Sequence, residues 1–241
     1  MIKRDRIQVY AILLMGVFIT LTVSCKKSND SNPSNAIVDN DGNVYHSVTL
    51  GTQVWMLENL KTTTYLNGDS IPNVKGNVQW FSLTSGAQCC YQNDTANASK
   101  YGRLYNFYAV TDSRKIAPKG WHVATDAEWT TLKNYLSANL GTSGSFAKAI
   151  AATTDWASST IVLSIGNDLS RNNSSGFTAV PGGFRWDYGA FGNLGSITYW
   201  WTGTESGSTS AYFRLLYSDS VDEHKASDLK GLGLSVRCVK D

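Results

Sequence analysis

Four segments near the C-terminus do most to limit what this chain can fold into. "FRWDYGAF", "SITYWWTGT", "AYFRLLYS" and "LGLSVRCVK" follow one another, separated by clusters of Gly, Ser and Asp. Aromatic and β-branched runs bounded by turn formers signal strands, so the C-terminal third is expected to be β-rich. In the last segment Leu232, Leu234, Val236 and Cys238 recur at every second residue and share one face. Cys238 therefore points inward, where a structural disulfide suits it better than a reactive thiol. Trp200 and Trp201 are consecutive, so they face opposite sides of their strand and at least one belongs to the core.

Helices are expected ahead of these strands. "GWHVATDAEW", Gly120 to Trp129, gathers one His, two acids and two Trp in ten positions. Thr125 and Glu128 fit the capping box, in which each side chain satisfies an orphan amide of the other. Asp126 complements the dipole of the first turn. Trp129, Leu132, Leu136 and Leu140 form one stripe, and Gly141 stands where a C-terminal cap belongs. The stretch is thus the start of a helix rather than an active site, and His122 has no catalytic partner close by in sequence. Leu104 and Phe107/Tyr108 predict a short amphipathic helix within Gly102–Asp112, and Phe146–Ala152 predicts a weaker one. From Ser158 to Ser175 the chain is polar except at Ile161–Leu163. Excursions of that length often carry function.

"DNDGN", Asp39 to Asn43, echoes the start of a calcium loop, but the twelfth position is Leu50 where that loop needs Glu. Val44, His46, Val48 and Leu50 then alternate with Tyr45, Ser47 and Thr49, and Gly51-Thr52 follows. The pattern predicts a tight turn leading into a strand and a second turn, with His46 a structural strand residue.

Residues 1–24 have the build of an export signal. Lys3, Arg4 and Arg6 precede an apolar run that Gly16, Thr20 and Thr22 interrupt, and the run is shorter than the ~20 residues of a spanning helix. The junction "LTVSC" followed by "KKSNDSNPSN" resembles the lipobox of bacterial lipoproteins, with Thr22 where Leu is commonest. Acyl chains on Cys25 would hold the protein at a membrane, each buried methylene contributing about 0.8 kcal/mol. The expected organisation is a signal over 1–24, a tether over 25–36 and one domain over 37–241.

The whole chain carries 21 basic and 19 acidic side chains; removing residues 1–24 takes away three of the first and one of the second, leaving 18 of each. A neutral protein has no basic stripe to track a phosphate backbone, so nucleic acid is not an expected partner. Cys25 apart, Cys89, Cys90 and Cys238 remain, and in an oxidising compartment the simplest count is one pair and one free thiol. Their spacing fits no zinc pattern. His46, His122 and His224 lack metal-ligand spacing, and no nucleophile elbow, phosphate loop or cofactor motif occurs.

Seven phrases occur in order: "GTQVWMLENL", "GAQCCYQND", "YGRLYNFYAV", "APKGWHVATDAEW", "VPGGFR", "YWWTGTE" and "GLSVRCVKD". Together they resemble the Fibrobacter succinogenes major paralogous (FISUMP) domain of exported proteins and lipoproteins, over about Val38 to Asp241. That family is similar to the C-type-lectin-like fold shared with formylglycine-generating enzymes. The resemblance implies an α+β, C-type-lectin-like domain with two main helices, a twisted antiparallel sheet and long loops. It also implies a Cys89–Cys238 disulfide with Cys90 spare, a vicinal Cys89–Cys90 bridge remaining the alternative.

Three functions compete. A surface binding module would use Trp186, Tyr188, Trp200 and Trp201 as an aromatic platform for a glycan or a protein ligand, since function is grafted onto loops rather than implied by a fold. Lectin-type calcium motifs such as Glu-Pro-Asn or Trp-Asn-Asp are missing. A divergent formylglycine-generating-type oxidoreductase would need two cysteines near the C-terminal end, where only Cys238 stands. A purely structural surface role fits the neutral charge equally well. The expectation is a non-enzymatic, lipid-anchored binding protein of the bacterial outer membrane or cell surface.

Overall fold

The computed structural model describes residues 36–140 and 144–241. The expected signal, Cys25, the tether up to Asn35 and the expected cap Gly141 lie outside the described residues. No described helix is long and apolar enough to cross a membrane.

Two hairpins open the domain. In the first, β1 (Ile37–Val38) pairs with β2 (Val44–Tyr45). The Asp39 carboxylate closes the turn between them by accepting from the amides of Asp41 and Asn43 and from the Tyr45 hydroxyl at 2.6 Å. "DNDGN" is therefore a turn whose carboxylate is engaged by the chain itself. In the second, β3 (Ser47–Leu50) pairs with β4 (Gln53–Met56) across Gly51-Thr52. The expected alternation from Val44 to Leu50 breaks at His46: Tyr45 is buried and Val44 exposed, because β2 and β3 join different sheets. His46 itself is exposed and pairs with Glu58.

Next come α1 (Asn77–Phe81), β5 (Gln88–Cys89), α2 (Thr95–Tyr101), β6 (Leu104–Tyr105) and α3 (Phe107–Val110). The helix expected over Gly102–Asp112 is thus a short strand followed by a single helical turn. Leu104 pairs with Cys89, and the Asn106 side chain caps α3 through the Ala109 amide. Strand pairing and a cap override the helical spacing there.

β7 (Trp121–Val123) leads into α4 (Asp126–Asn139), which starts with the expected Thr125–Glu128 capping box and buries Trp129, Leu132 and Leu136. α5 (Phe146–Ile150) falls where the weaker helix was expected. The long excursion that follows contains one short 3₁₀ turn, Leu169–Arg171. Its anchor is Lys148, whose buried ammonium donates to the carbonyls of Ser164 at 3.2 Å, Asp168 at 3.0 Å and Asn167. Three donors meet three acceptors, so the ammonium ties the loop without a carboxylate.

The remaining strands are β8 (Phe184–Arg185), β9 (Phe191–Gly192), β10 (Ile197–Glu205), β11 (Ser210–Tyr217), β12 (His224–Leu229), β13 (Ser235–Val236) and β14 (Cys238–Lys240). They complete two four-stranded sheets, ordered β12-β11-β10-β13 and β3-β4-β14-β7. The class is α+β. It departs from two main helices and one antiparallel sheet, because only α4 is long among the described helices and β13 runs parallel to β10.

The inner strands β4, β10 and β14 are covered on both faces, whereas the edge strand β12 is exposed along its whole length. The consecutive pairs Trp55/Met56, Trp200/Trp201 and Cys238/Val239 each send one side chain into one hydrophobic cluster and one into a second. Leu232, Leu234, Val236 and Cys238 share a cluster, as their two-residue period predicts. Arg237, between the last two of these, is fully buried. Its guanidinium donates to the carbonyls of Met56, Leu57 and Phe177 and to Asn59 Oδ1.

Candidate functional site

The β8–β9 hairpin turns over Trp186-Asp187-Tyr188-Gly189. The Gly189 amide donates to the Trp186 carbonyl and the Trp186 amide to the Ala190 carbonyl. Gly189 has φ +97, and a Cβ there would stand 2.5 Å from Asn77 Cα. Only glycine permits both the conformation and the approach to α1.

Beneath the turn lies Arg185, fully buried. Its guanidinium donates to the carbonyls of Gly189 (2.8 Å), Val74 (2.6 Å) and Lys75 (2.9 Å). It also stacks between Trp80 and Phe191, 4.3 and 4.8 Å from the ring centroids. One planar fork therefore fixes the turn to the loop before α1. A braced turn of this kind orients side chains at little entropic cost on binding.

Those side chains are Trp186 and Tyr188, 36% and 55% exposed. Their rings are parallel to within 10° with centroids 5.9 Å apart, and Phe184 supports Trp186 edge-on at 4.7 Å. On the adjoining α1, Val78 and Phe81 are 78% and 67% exposed while Trp80 between them is buried. Half-buried Asp187 and exposed Asn77 supply polar groups beside the rings. Aromatic faces bordered by a few hydrogen-bonding groups suit a ligand with one apolar and one hydroxylated side.

The other two expected platform residues are not available. Trp200 and Trp201 are both fully buried, because β10 is covered on each side. Trp200 Nε1 donates to Asn59 Oδ1 at 2.8 Å and Trp201 Nε1 to the Tyr105 carbonyl at 2.9 Å. The expected disulfide is likewise corrected: Cys89, Cys90 and Cys238 are all buried free thiols. Cys89 packs in a small cluster with Trp80, Tyr91 and Leu104, whereas Cys238 belongs to one of the two large cores. Burial pushes the Cys89 and Cys238 thiols up to about 12.

His122 acquires partners that its sequence neighbourhood did not announce. Nε2 meets Glu128 Oε1 at 2.7 Å and Nδ1 meets Asp241 Oδ1 at 2.8 Å, the latter 119 residues away. Burial works to lower the imidazole pKa, but the bonds to Asp241 and Glu128 outweigh it and raise the pKa. A carboxylate on each ring nitrogen favours the protonated imidazole, and in that form neither nitrogen has a lone pair to offer as a base. Among the described residues no group of three or more His, Cys, Asp or Glu side chains is placed to hold a metal ion.

The Val78 and Phe81 surface was not foreseen either. α1 is apolar at Val78, Trp80 and Phe81, and sequence alone does not tell which of these a five-residue helix buries.

The architecture is that of an irregular α+β domain whose inner strands are covered on both faces, with an exposed aromatic pair on a braced turn. The chain belongs to the Fibrobacter succinogenes major domain family, whose model matches residues 48–240. No curated protein and no solved structure matches it.

Proposed function

We propose that this protein is an exported lipoprotein, acylated at Cys25, that binds a glycan at the bacterial outer membrane or cell surface and catalyses no reaction. The observation that carries the reading is the exposed, parallel Trp186–Tyr188 pair on a turn braced by a buried arginine. Exposed apolar side chains that cluster within a polar rim mark interaction sites. A C-type-lectin-like fold belongs to the same reading, supported by the mixed architecture and the long irregular segment between α5 and β8.

The oxidoreductase alternative has less support. Thiol chemistry runs through an accessible thiolate, whereas the three described cysteines are buried and the Cys89 and Cys238 thiols are pushed up to about 12.

A glycan array probed with the purified chain tests the proposal, with Trp186→Ala and Tyr188→Ala run beside it. Binding lost in folded variants supports a glycan platform. Binding that survives both substitutions moves the site elsewhere. A blank array together with capture of a protein ligand at the same residues replaces glycan by protein. Turnover of a thiol substrate that Cys238→Ser abolishes would sink the non-enzymatic reading.

A further inference from the structure

We propose that the face around Trp121 rests on the anionic headgroups of the membrane to which Cys25 is anchored; this deepens the lipoprotein reading and rests on it. Lys240 lies directly opposite Trp121 in the β14–β7 pairing, so both side chains project from the same face. Lys119 stands two residues before Trp121, and these three border a groove of about 410 Å³ together with Ala36, Ile37 and Val38. On the other side of Trp121, Lys115 borders a second groove of about 360 Å³. Trp121 is half-buried, and all three lysines are exposed.

Among the described residues Lys115, Lys119 and Lys240 make no ion pair, as Lys61 and Lys75 do not, whereas Lys100, Lys133, Lys225 and Lys230 each do; what sets this face apart is that its three lysines border grooves that share one indole. Among the described residues no carboxylate side chain borders the first groove, and the one bordering the second, Asp241, is paired with His122. Three uncompensated ammonium groups around an indole match a surface of phosphate headgroups above acyl chains, where Trp and Lys both settle.

The chain leading back to the anchor ends at this same face. Ala36 and Ile37 border the groove, and the eleven residues from Cys25 to Asn35 reach no further than about 40 Å even when fully extended. Lys26 and Lys27, next to the acylated cysteine, carry the same sign. A tether of that reach lets this face meet the bilayer, and there each lysine would contribute roughly fivefold in partitioning onto an anionic surface, and the three together on the order of a hundredfold.

The test uses the full chain purified from envelopes and reconstituted into vesicles of phosphatidylcholine, with or without phosphatidylglycerol. Its lysines are acetylated briefly and read by mass spectrometry, and the mass of the N-terminal peptide reports the acyl chains on Cys25. Acetylation of Lys119 and Lys240 is expected to slow severalfold in the anionic vesicles alone and to recover in high salt, with Lys75 and Lys225 unchanged. A Lys119→Gln/Lys240→Gln variant should lose most of the protection at Lys115. Equal rates in both vesicle types on an acylated chain would overturn the proposal and leave the anchor standing. A chain with no acyl group on Cys25 would overturn the anchor and this face with it.

Discussion

Trp200 and Trp201 are neighbours in the chain and occupants of two different cores. Trp200 packs against Trp129 with ring centroids 5.3 Å apart, beside Phe177, while Trp201 packs against Phe107 at 5.2 Å. Strand β10 is thus a partition, and two of the four residues expected to form a ligand platform are packed into the cores on either side of it.

Each indole should therefore be a stability determinant. Trp200→Ala and Trp201→Ala are each expected to cost about 3–5 kcal/mol, the usual range for emptying a buried aromatic site. Trp186→Ala and Tyr188→Ala should cost less, about 1 kcal/mol or under at Tyr188 and up to about 2 kcal/mol at Trp186, whose ring is partly buried against Phe184. Urea denaturation of the four variants checks this. A neutral result at either buried position would contradict the two-core arrangement.

Arg185 should couple stability to binding. Arg185→Lys retains a charge but cannot reach the carbonyls of Gly189, Val74 and Lys75 together, and unpaired buried carbonyls cost about 1–3 kcal/mol each. The expected result is a marked drop in melting temperature, and weaker ligand binding in the fraction still folded. A variant as stable as the parent would show that the turn is held by something other than this fork.

His122 sets a pH dependence whose sign follows from its raised folded pKa. The contribution is fully present below the unfolded value of about 6.5 and is lost as pH rises through the folded value. Glu128 has the opposite sense: its folded pKa is lowered, so its contribution is present above the unfolded value and is lost as pH falls through the folded one. The stability difference between parent and His122→Gln should therefore shrink as pH rises from about 6.5 into the alkaline range. Its size should be about 1 kcal/mol or less, because the pairs are partly exposed to solvent. Denaturation midpoints across that range decide the matter, and a difference that grows with pH would contradict the assignment.

The thiols should be silent in the folded protein. Cys89, Cys90 and Cys238 are expected not to react with a thiol reagent until denaturant is added, and the melting temperature should not change with reductant. Removing a structural disulfide from a domain typically costs 2–5 kcal/mol. A fall of that size on reduction would restore the bridge that the family resemblance implies.

Local signals were enough wherever a feature depends on near neighbours. The capping box at Thr125 and Glu128, the Asp39 turn, the Gly51-Thr52 hairpin and the shared face of Leu232, Leu234, Val236 and Cys238 all rest on residues a few positions apart, whose geometry the backbone period dictates. The ordered phrases that mark the family were legible too, and they prove to hold much of the core: Trp55, Trp129, Arg185, Trp200, Trp201 and Arg237 are all buried.

What the sequence alone could not decide was which faces are covered. Alternation says that Trp200 and Trp201 point to opposite sides of β10; only the packing of helices and loops on both sides makes each of them core. The same holds for Leu104, drawn into a strand by Cys89, and for His122, completed by Asp241 at the far end of the chain. Trp186 and Tyr188 stay exposed because Arg185 fixes their turn against α1, an interaction spanning more than a hundred residues. Burial is a property of contacts between distant segments, so it took the tertiary structure to separate the aromatic residues that hold the domain together from those left exposed, Trp186 and Tyr188 among them.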